Sequence, residues 1–260
     1  MALADDFDGF LVDLDGVVWI GREHVPGSAE ALRELRAAGK GLVFVTNNPG
    51  RLPAAYAARL RELGVEVEEE RIVTAGIVAA RLAAEAAGAG GEALVIGAEP
   101  LREMVVAAGL RLLDAADAER AAVVVVSGHK GFDYTELRAA KRALDGGAGL
   151  IATSRDPTMP YPGGELPGTG AVLAAVEVAS GRRATIAGKP ERHLFELAAE
   201  RAGGGRVAMI GDRVSSDIEG GRRAGLETVL VLSGTTSREE AALADPTPDH
   251  VLDDLAGLLR

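Results

Sequence analysis

Four acidic residues stand where acids can act together. Asp13 and Asp15 lie two residues apart at the end of the apolar run FLVDL (10–14). In a strand, side chains at i and i+2 point to the same side, and Gly16 lets the backbone turn sharply after them. A second pair, Asp212 and Asp217, lies in IGDRVSSDI, and Asp212 directly follows the apolar run VAMIG (207–211). An acid after a single strand is commonly a helix N-cap or a turn former. Acids gathered at two strand ends are a different case, because like-charge repulsion opposes the gathering unless a cation or a reaction gains from it. A hard ion such as Mg²⁺ takes oxygen ligands of this kind, with few carboxylates and several waters.

Two further segments offer groups to an anion. VTNNP (45–49) presents the Thr46 hydroxyl, the Asn47 amide, Asn48 and the N–H groups of the following turn. The alternative there is a plain Asx turn closed by Pro49. In GKP (188–190), Pro190 biases Lys189 toward extended backbone. Held beside the carboxylates, its ammonium could bridge a nucleophile and a phosphoryl oxygen; the alternative is a solvated loop lysine.

The elements that must carry these groups follow from hydrophobic periodicity. FLVDL reads as a buried strand, and Ser28 is the expected N-cap of the helix SAEALRELRAA, which stops at Gly39. LVFVT (42–46) lacks polar alternation, as in strands covered on both faces. Pro53 suits the first turn of a helix whose face carries Tyr56, Leu60 and Leu63 before Gly64 closes it. This strand–helix order predicts an α/β fold with a parallel sheet. LVIG (94–97), VVVVS (123–127) and LIAT (150–153) repeat the pattern, as do VAMIG, TVLVL (228–232) and HVL (250–252) after Thr185. EAAGAGGEA (85–93) reads as a hinge or loop. PGTGAVLA (167–174) lacks the Lys-Ser/Thr of a P-loop and the third glycine of a dinucleotide fingerprint, so a helix start is the better account. Trp19 is expected in the core with its N–H bonded nearby. His24, His129, His193 and His250 are scattered without metal-motif spacing.

Composition bounds the partners. The 260 residues are 47% hydrophobic, with one Trp, three Tyr and five Phe, so the core must rest on Ala, Val and Leu. A net charge of −11 repels nucleic acid and anionic membrane as a whole, though not a small anion in a local pocket. Without cysteine there is no disulfide, thiolate catalyst or Cys-based zinc site. MALADDFDGF lacks the basic start and apolar run of a signal peptide, and no uncharged apolar stretch reaches the ~18 residues of a membrane span. A soluble cytoplasmic protein, binding neither nucleic acid nor membrane, is expected.

Taken together, LVDLDGV, VTN, GKP and GDRVSSD, in that order and each after an expected strand, resemble the four motifs of the haloacid dehalogenase superfamily of phosphohydrolases. The segment IATSRDPTMPYPGGELPGTGAVLAAVEVASGR resembles the end of a C2-type cap in the p-nitrophenyl phosphatase and phosphoglycolate phosphatase branch, NagD-like subclass IIA. The resemblance implies a Rossmann-like, doubly wound core over 1–78 and 186–260, with a smaller inserted α/β cap over 79–185. It implies that Asp13 attacks phosphorus and that Asp15 serves as general acid, then base. Mg²⁺ would be held by Asp13, the Asp15 carbonyl and Asp212, with Asp217 behind them. Thr46, Asn47, Asn48 and Lys189 would hold the phosphoryl oxygens of a small phosphorylated metabolite, and the cap would form a homodimer. Where the branch often has Asn-Pro or Asn-Arg, this chain has Ser154-Arg155, and some relatives have a histidine near Met159. Arg155 and Met159 are therefore the specificity candidates. Arg155 could bind an anionic leaving group or be a solvated arginine, and Met159 could be packing filler.

Three other functions use parts of the same pattern. A phosphotransferase or mutase would pass the phosphoryl group to a hydroxyl instead of water. A non-catalytic binding protein of this fold would be expected to lack Asp13, Asp15 or Lys189, and all three are present. A receiver-type signalling domain shares the acidic strand ends and the lysine, but the long insert and the DxD spacing argue against it.

Overall fold

The run GFLVD is apolar up to its last residue and forms strand β1 (Gly9–Asp13), buried along its whole length. The computed structural model describes residues 2–161 and 164–260. After β1 come the hairpin strands β2 (Trp19–Ile20) and β3 (Glu23–His24), helix α1 (Ser28–Ala37), β4 (Gly41–Thr46), α2 (Pro53–Glu62) and β5 (Ile72–Thr74). The N-cap of α1 is Gly27 with left-handed backbone, not Ser28. The Ser28 hydroxyl instead donates to the carbonyls of Val18 and Val25, at 3.1 and 2.7 Å, because it is buried among them.

The inserted segment forms α3 (Ala75–Ala87), β6 (Glu92–Ile96), α4 (Glu99–Ala107), β7 (Arg111–Leu112), β8 (Val123–Val126) and α5 (Tyr134–Asp145). It continues with β9 (Gly149–Ala152), the antiparallel pair β10 (Thr158–Tyr161) and β11 (Gly164–Pro167), α6 (Thr169–Ser180) and β12 (Thr185–Ile186). Helix α3 carries the first residues of EAAGAGGEA and ends at Gly88, so only the middle of that stretch is loop. The chain closes with α7 (Arg192–Ala202), β13 (Val207–Gly211), α8 (Glu219–Arg223), β14 (Glu227–Val231), α9 (Arg238–Ala242) and β15 (His250–Leu252).

Two compact units result. The first holds Met1–Thr46, Pro53–Val73 and Lys189–Arg260; the second holds Asn47–Leu52 and Thr74–Gly188. The insert is thus longer than the 79–185 expected, for two reasons. Helix α3, which starts at Ala75, packs on β8 and β9, and β12 pairs with β9. Asn47–Leu52 also groups with the insert.

The first unit is built on a six-stranded sheet of order β15-β14-β13-β1-β4-β5, in which β1 runs parallel to both β13 and β4. Alternate residues Phe10, Val12, Leu42, Phe44, Ile210 and Val229 meet Leu32 and Leu35 of α1 and Tyr56 and Leu60 of α2 on one face. Helix α7 packs on β1 and β4 as well. The chain leaves β1 toward β4 and β5, and later returns on the other side of β1 as β13. The carboxyl end of β1 is therefore the switch point at which open α/β sheets bind ligands.

The second unit has a five-stranded parallel sheet of order β12-β9-β8-β6-β7. Leu94, Ile96, Val124, Val126 and Leu150 pack there against Ala139, Ala140 and Ala143 of α5 and Val172, Leu173 and Val176 of α6. Alanine does much of the packing, as an aromatic-poor composition requires. No helix among the described residues is long and apolar enough to cross a membrane.

Candidate active site

Asp13 ends β1, and Asp212 follows the neighbouring strand β13. Asp217 comes from the π-helical turn Val214–Ile218. Carboxylate oxygens of the three lie within 4.8 Å of one another. All three side chains are buried, as is Lys189. The Lys189 ammonium lies 2.7 Å from Asp13 Oδ1 and 2.6 Å from Asp217 Oδ1, so a group from the GKP motif ties the two acidic segments together.

Three carboxylates and one ammonium leave two negative charges uncompensated in a place where charge is costly. The titration of the groups reflects this. Burial pushes the Asp13 carboxyl well above its ordinary range, and Asp217 and Asp212 push it further while Lys189 opposes them. Burial and then Asp217 raise Asp212 as well. Burial also works against the charge on Lys189, but Asp13 and Asp217 outweigh it and hold the lysine above its usual value.

The hydrogen bonds separate the acids by role. Asp217 spends one oxygen on Lys189, while the other accepts from the Arg213 N–H at 3.0 Å and the Ser216 hydroxyl at 3.3 Å. Asp212 Oδ2 accepts from the Thr235 N–H at 2.7 Å, whereas Asp212 Oδ1 is buried with no hydrogen-bond partner among the described residues. A buried carboxylate oxygen without a donor is expensive. Oxygen-only donors, two spare negative charges and one unpartnered oxygen together fit Mg²⁺. The turn after β1 is shaped to the same acid: Gly16 has φ +90°, and a Cβ there would fall 2.3 Å from Asp212 Oδ2.

Asp15 opens to solvent. The surrounding protein still desolvates its carboxyl enough to raise its pKa, against the Trp19 hydrogen bond that lowers it. Trp19 Nε1 donates to Asp15 Oδ1 at 3.1 Å. The indole is 1% exposed, lies parallel to the Tyr56 ring, and has the Arg59 guanidinium 4.0 Å from its centroid. Trp19 is a core residue, as expected, and its N–H partner is one of the candidate catalytic acids.

The anion-binding candidates divide. Thr46 ends β4 beside β1 and is buried. Asn48 Oδ1 accepts from the Gly50 N–H at 2.9 Å, which is the Asx turn weighed for this motif. Asn47 Nδ2 donates to Asp156 Oδ2 at 3.1 Å. Asp156 was not singled out from the sequence, where its one signal is its place directly after Ser154-Arg155. Of the two specificity candidates, Met159 lies on β10 opposite Leu166. Arg155 grips both oxygens of Glu177, at 2.7 and 3.0 Å, so it is neither a plainly solvated arginine nor one without a partner. His129, His193 and His250 each sit beside a glutamate, in different parts of the chain.

A model described as haloacid dehalogenase-like hydrolase matches residues 10–111, and a HAD-hydrolase-like model matches 186–258. Human chronophin is 40% identical over 270 residues, covering 96% of this chain and 91% of that protein. A glycerol phosphate phosphatase from Mycobacterium tuberculosis, solved in complex with magnesium, superposes with a TM-score of 0.92 at 35% identity, over 99% of this chain and 78% of that one. A p-nitrophenyl phosphatase from Archaeoglobus fulgidus superposes with a TM-score of 0.90 at 31% identity, over 98% of each chain.

Proposed function

The chain belongs to the haloacid dehalogenase-like hydrolases as a phosphatase of subclass IIA, and from that premise we propose that it hydrolyses small phosphate monoesters through an aspartyl-phosphate on Asp13. The observation that carries this reading is the buried cluster of Asp13, Asp212 and Asp217 around a single lysine, two positive charges short of neutrality.

Asp13 and Asp212, with the Asp15 main-chain carbonyl, would hold Mg²⁺, which supplies positive charge to the phosphoryl oxygens and keeps the carboxylates ionised. Lys189 draws Asp13 into one orientation and adds a positive charge where a dianionic phosphate must approach a carboxylate. Asp217 holds Lys189 in place, since its own oxygens are already occupied. The Asp13 carboxylate attacks phosphorus in line as the ester oxygen leaves, and that oxygen takes the Asp15 proton. Asp15, now ionised, takes a proton from water as the water oxygen attacks the aspartyl-phosphate; Asp13 and inorganic phosphate are released. A raised carboxyl pKa at Asp15 suits a group that must start protonated. The Trp19 N–H fixes which way that carboxyl faces.

Thr46 and Asn47 would bind the phosphoryl oxygens, and the second unit would select the substrate, with Met159 on one of its strands. Relatives named for glycerol phosphate support a substrate among small phosphorylated metabolites.

Trapping the intermediate tests the proposal. Asp15→Asn retains Asp13 but lacks the base for the second step. With p-nitrophenyl phosphate and Mg²⁺ it should release nitrophenol in one burst and carry a phosphoryl group on the peptide containing Asp13 by mass spectrometry. A burst without a covalent adduct, or an adduct elsewhere, refutes the assignment.

A further inference from the structure

The acid that follows β13 has a seat of its own, built within the first unit by the turn SGTT (233–236) between β14 and α9. Three donors of that turn reach Asp212. The Thr235 N–H donates to Oδ2 at 2.7 Å, and the Thr236 hydroxyl and N–H donate to the Asp212 main-chain carbonyl at 2.6 and 3.2 Å. Two glycines wall the same carboxylate: a Cβ on Gly234 would fall 2.2 Å from Oδ2, and one on Gly16 would fall 2.3 Å from it. Oδ2 is thus both wedged and bonded, which opposes rotation of the carboxyl group. The oxygen kept without a donor among the described residues is Oδ1.

The same turn holds the segment that follows β1. The Ser233 hydroxyl donates to the Gly16 carbonyl at 2.7 Å, and the Gly16 N–H donates to the Trp19 carbonyl at 2.7 Å. Peptide planarity ties the Asp15 carbonyl to that N–H, so its direction is fixed with it. The turn is anchored at both ends. Before it, the Leu232 N–H donates to the Leu252 carbonyl at 2.9 Å. After it, Ser237 and Glu240 form a capping box on α9, whose Ala241 packs with Ile218 and Leu230. Core packing does not call for such a turn, because Gly234 and Thr235 are exposed. Asp249 shows what a structural seat looks like. Its Oδ2 accepts from the Thr228 N–H and hydroxyl at 2.9 and 2.7 Å, and Arg222 donates to its Oδ1 at 2.7 Å. Asp212 also has a threonine N–H on one oxygen, but the other is held open.

We infer that the SGTT turn is a positioning element for the divalent ion. It fixes Asp212 so that Oδ1 is the oxygen offered to the cation, and through Ser233 it steadies the turn that carries the Asp15 carbonyl. Ser233, Gly234 and Thr236 act through Asp212 and Gly16, not on the substrate. The inference rests on the reading of Asp212 and the Asp15 carbonyl as metal ligands.

Calorimetric titration of Mg²⁺ into the metal-stripped full chain, without substrate and well below the melting temperature, tests it. Thr236→Val keeps the shape but loses the hydroxyl, and should raise the Mg²⁺ Kd roughly tenfold; Thr236→Ser should restore it. Gly234→Ala drives a Cβ into the carboxylate and should raise Kd roughly a hundredfold. Ser233→Ala should weaken Mg²⁺ as well. Gly234→Ala is the variant most at risk of not folding, and the hydroxyl variants decide the matter without it. Thr228→Val removes the comparable hydroxyl from Asp249; it should lower the melting temperature and leave the Mg²⁺ Kd unchanged. Asp212→Asn should abolish Mg²⁺ binding. If it does so while Thr236→Val binds Mg²⁺ like the wild type, or if Thr228→Val weakens Mg²⁺ as much as Thr236→Val, the inference about the turn falls alone. If Asp212→Asn binds Mg²⁺ like the wild type, the reading of Asp212 as a metal ligand falls with it.

Discussion

In the first unit three buried carboxylates share one ammonium, while in the second one buried carboxylate has two guanidiniums to itself. Glu177 is 7% exposed and accepts from Arg155 twice, from Arg183 at 2.9 Å and from the Ala184 N–H at 2.9 Å. These bonds, led by that of Arg155, draw its carboxyl down to about 2. The first cluster goes the other way, with Asp13 and Asp212 both raised by burial first and then by the neighbouring Asp217. A carboxylate that receives all its donors from the protein holds the fold together and needs nothing more. A cluster left short of positive charge, with one oxygen unpartnered, is held together by the rest of the structure and is completed only by what binds to it.

The contrast can be tested from both sides. Asp13→Asn should lower kcat by about four orders of magnitude, since an amide is a poor nucleophile. Its melting temperature should not fall, because one uncompensated negative charge has been removed; retention of a tenth of the activity would contradict the role. EDTA should silence the enzyme and Mg²⁺ restore it, with a Mg²⁺-dependent rise in melting temperature that Asp212→Asn largely abolishes. Full activity after exhaustive chelation would remove the metal from the account.

Glu177→Gln should do the reverse and leave kcat/KM within about twofold while costing about 1–2 kcal/mol by urea denaturation. The figure is kept low because the Arg155 and Arg183 side chains are 48% and 83% exposed and solvent screens them.

The smallest effect is a pair of opposite pH slopes. Glu177 titrates lower in the folded chain than its ordinary 4.5. Its contribution is therefore present above that value and is lost as pH falls toward 2, and the gap between wild type and Glu177→Gln should close over that range. Asp13 and Asp212 titrate above their ordinary 3.8. In EDTA the folded chain then keeps protons that the unfolded chain has released, so stability should decline as pH rises from that value, and Mg²⁺ should flatten the decline. A metal-free protein that gains stability with rising pH would show that the cluster is not short of positive charge.

The candidate site was legible in the sequence wherever it lay next to a strand end. Asp13, Asp15 and Asp212 follow apolar runs that form strands, and side-chain alternation with parallel-sheet order carries such residues to a shared edge. Other contacts were not legible. Asp156 reaches Asn47, Arg155 closes on Glu177, and the Trp19 N–H lands on an acid four residues back. None of these follows a local period, and each depends on how a loop is seated by distant glycines, hydroxyls and rings.

The sequence by itself determined the alternation of strands and helices, the aromatic-poor core and the set of acids and lysine, because hydrophobic periodicity and residue chemistry are local properties. Only the tertiary structure decided how the charge was shared. It put Lys189 between Asp13 and Asp217, left one oxygen of Asp212 without a donor, and gave Arg155 to Glu177. Whether a buried charge is satisfied depends on distances of a few ångströms between segments far apart in the chain, and those distances exist only once the sheets have formed.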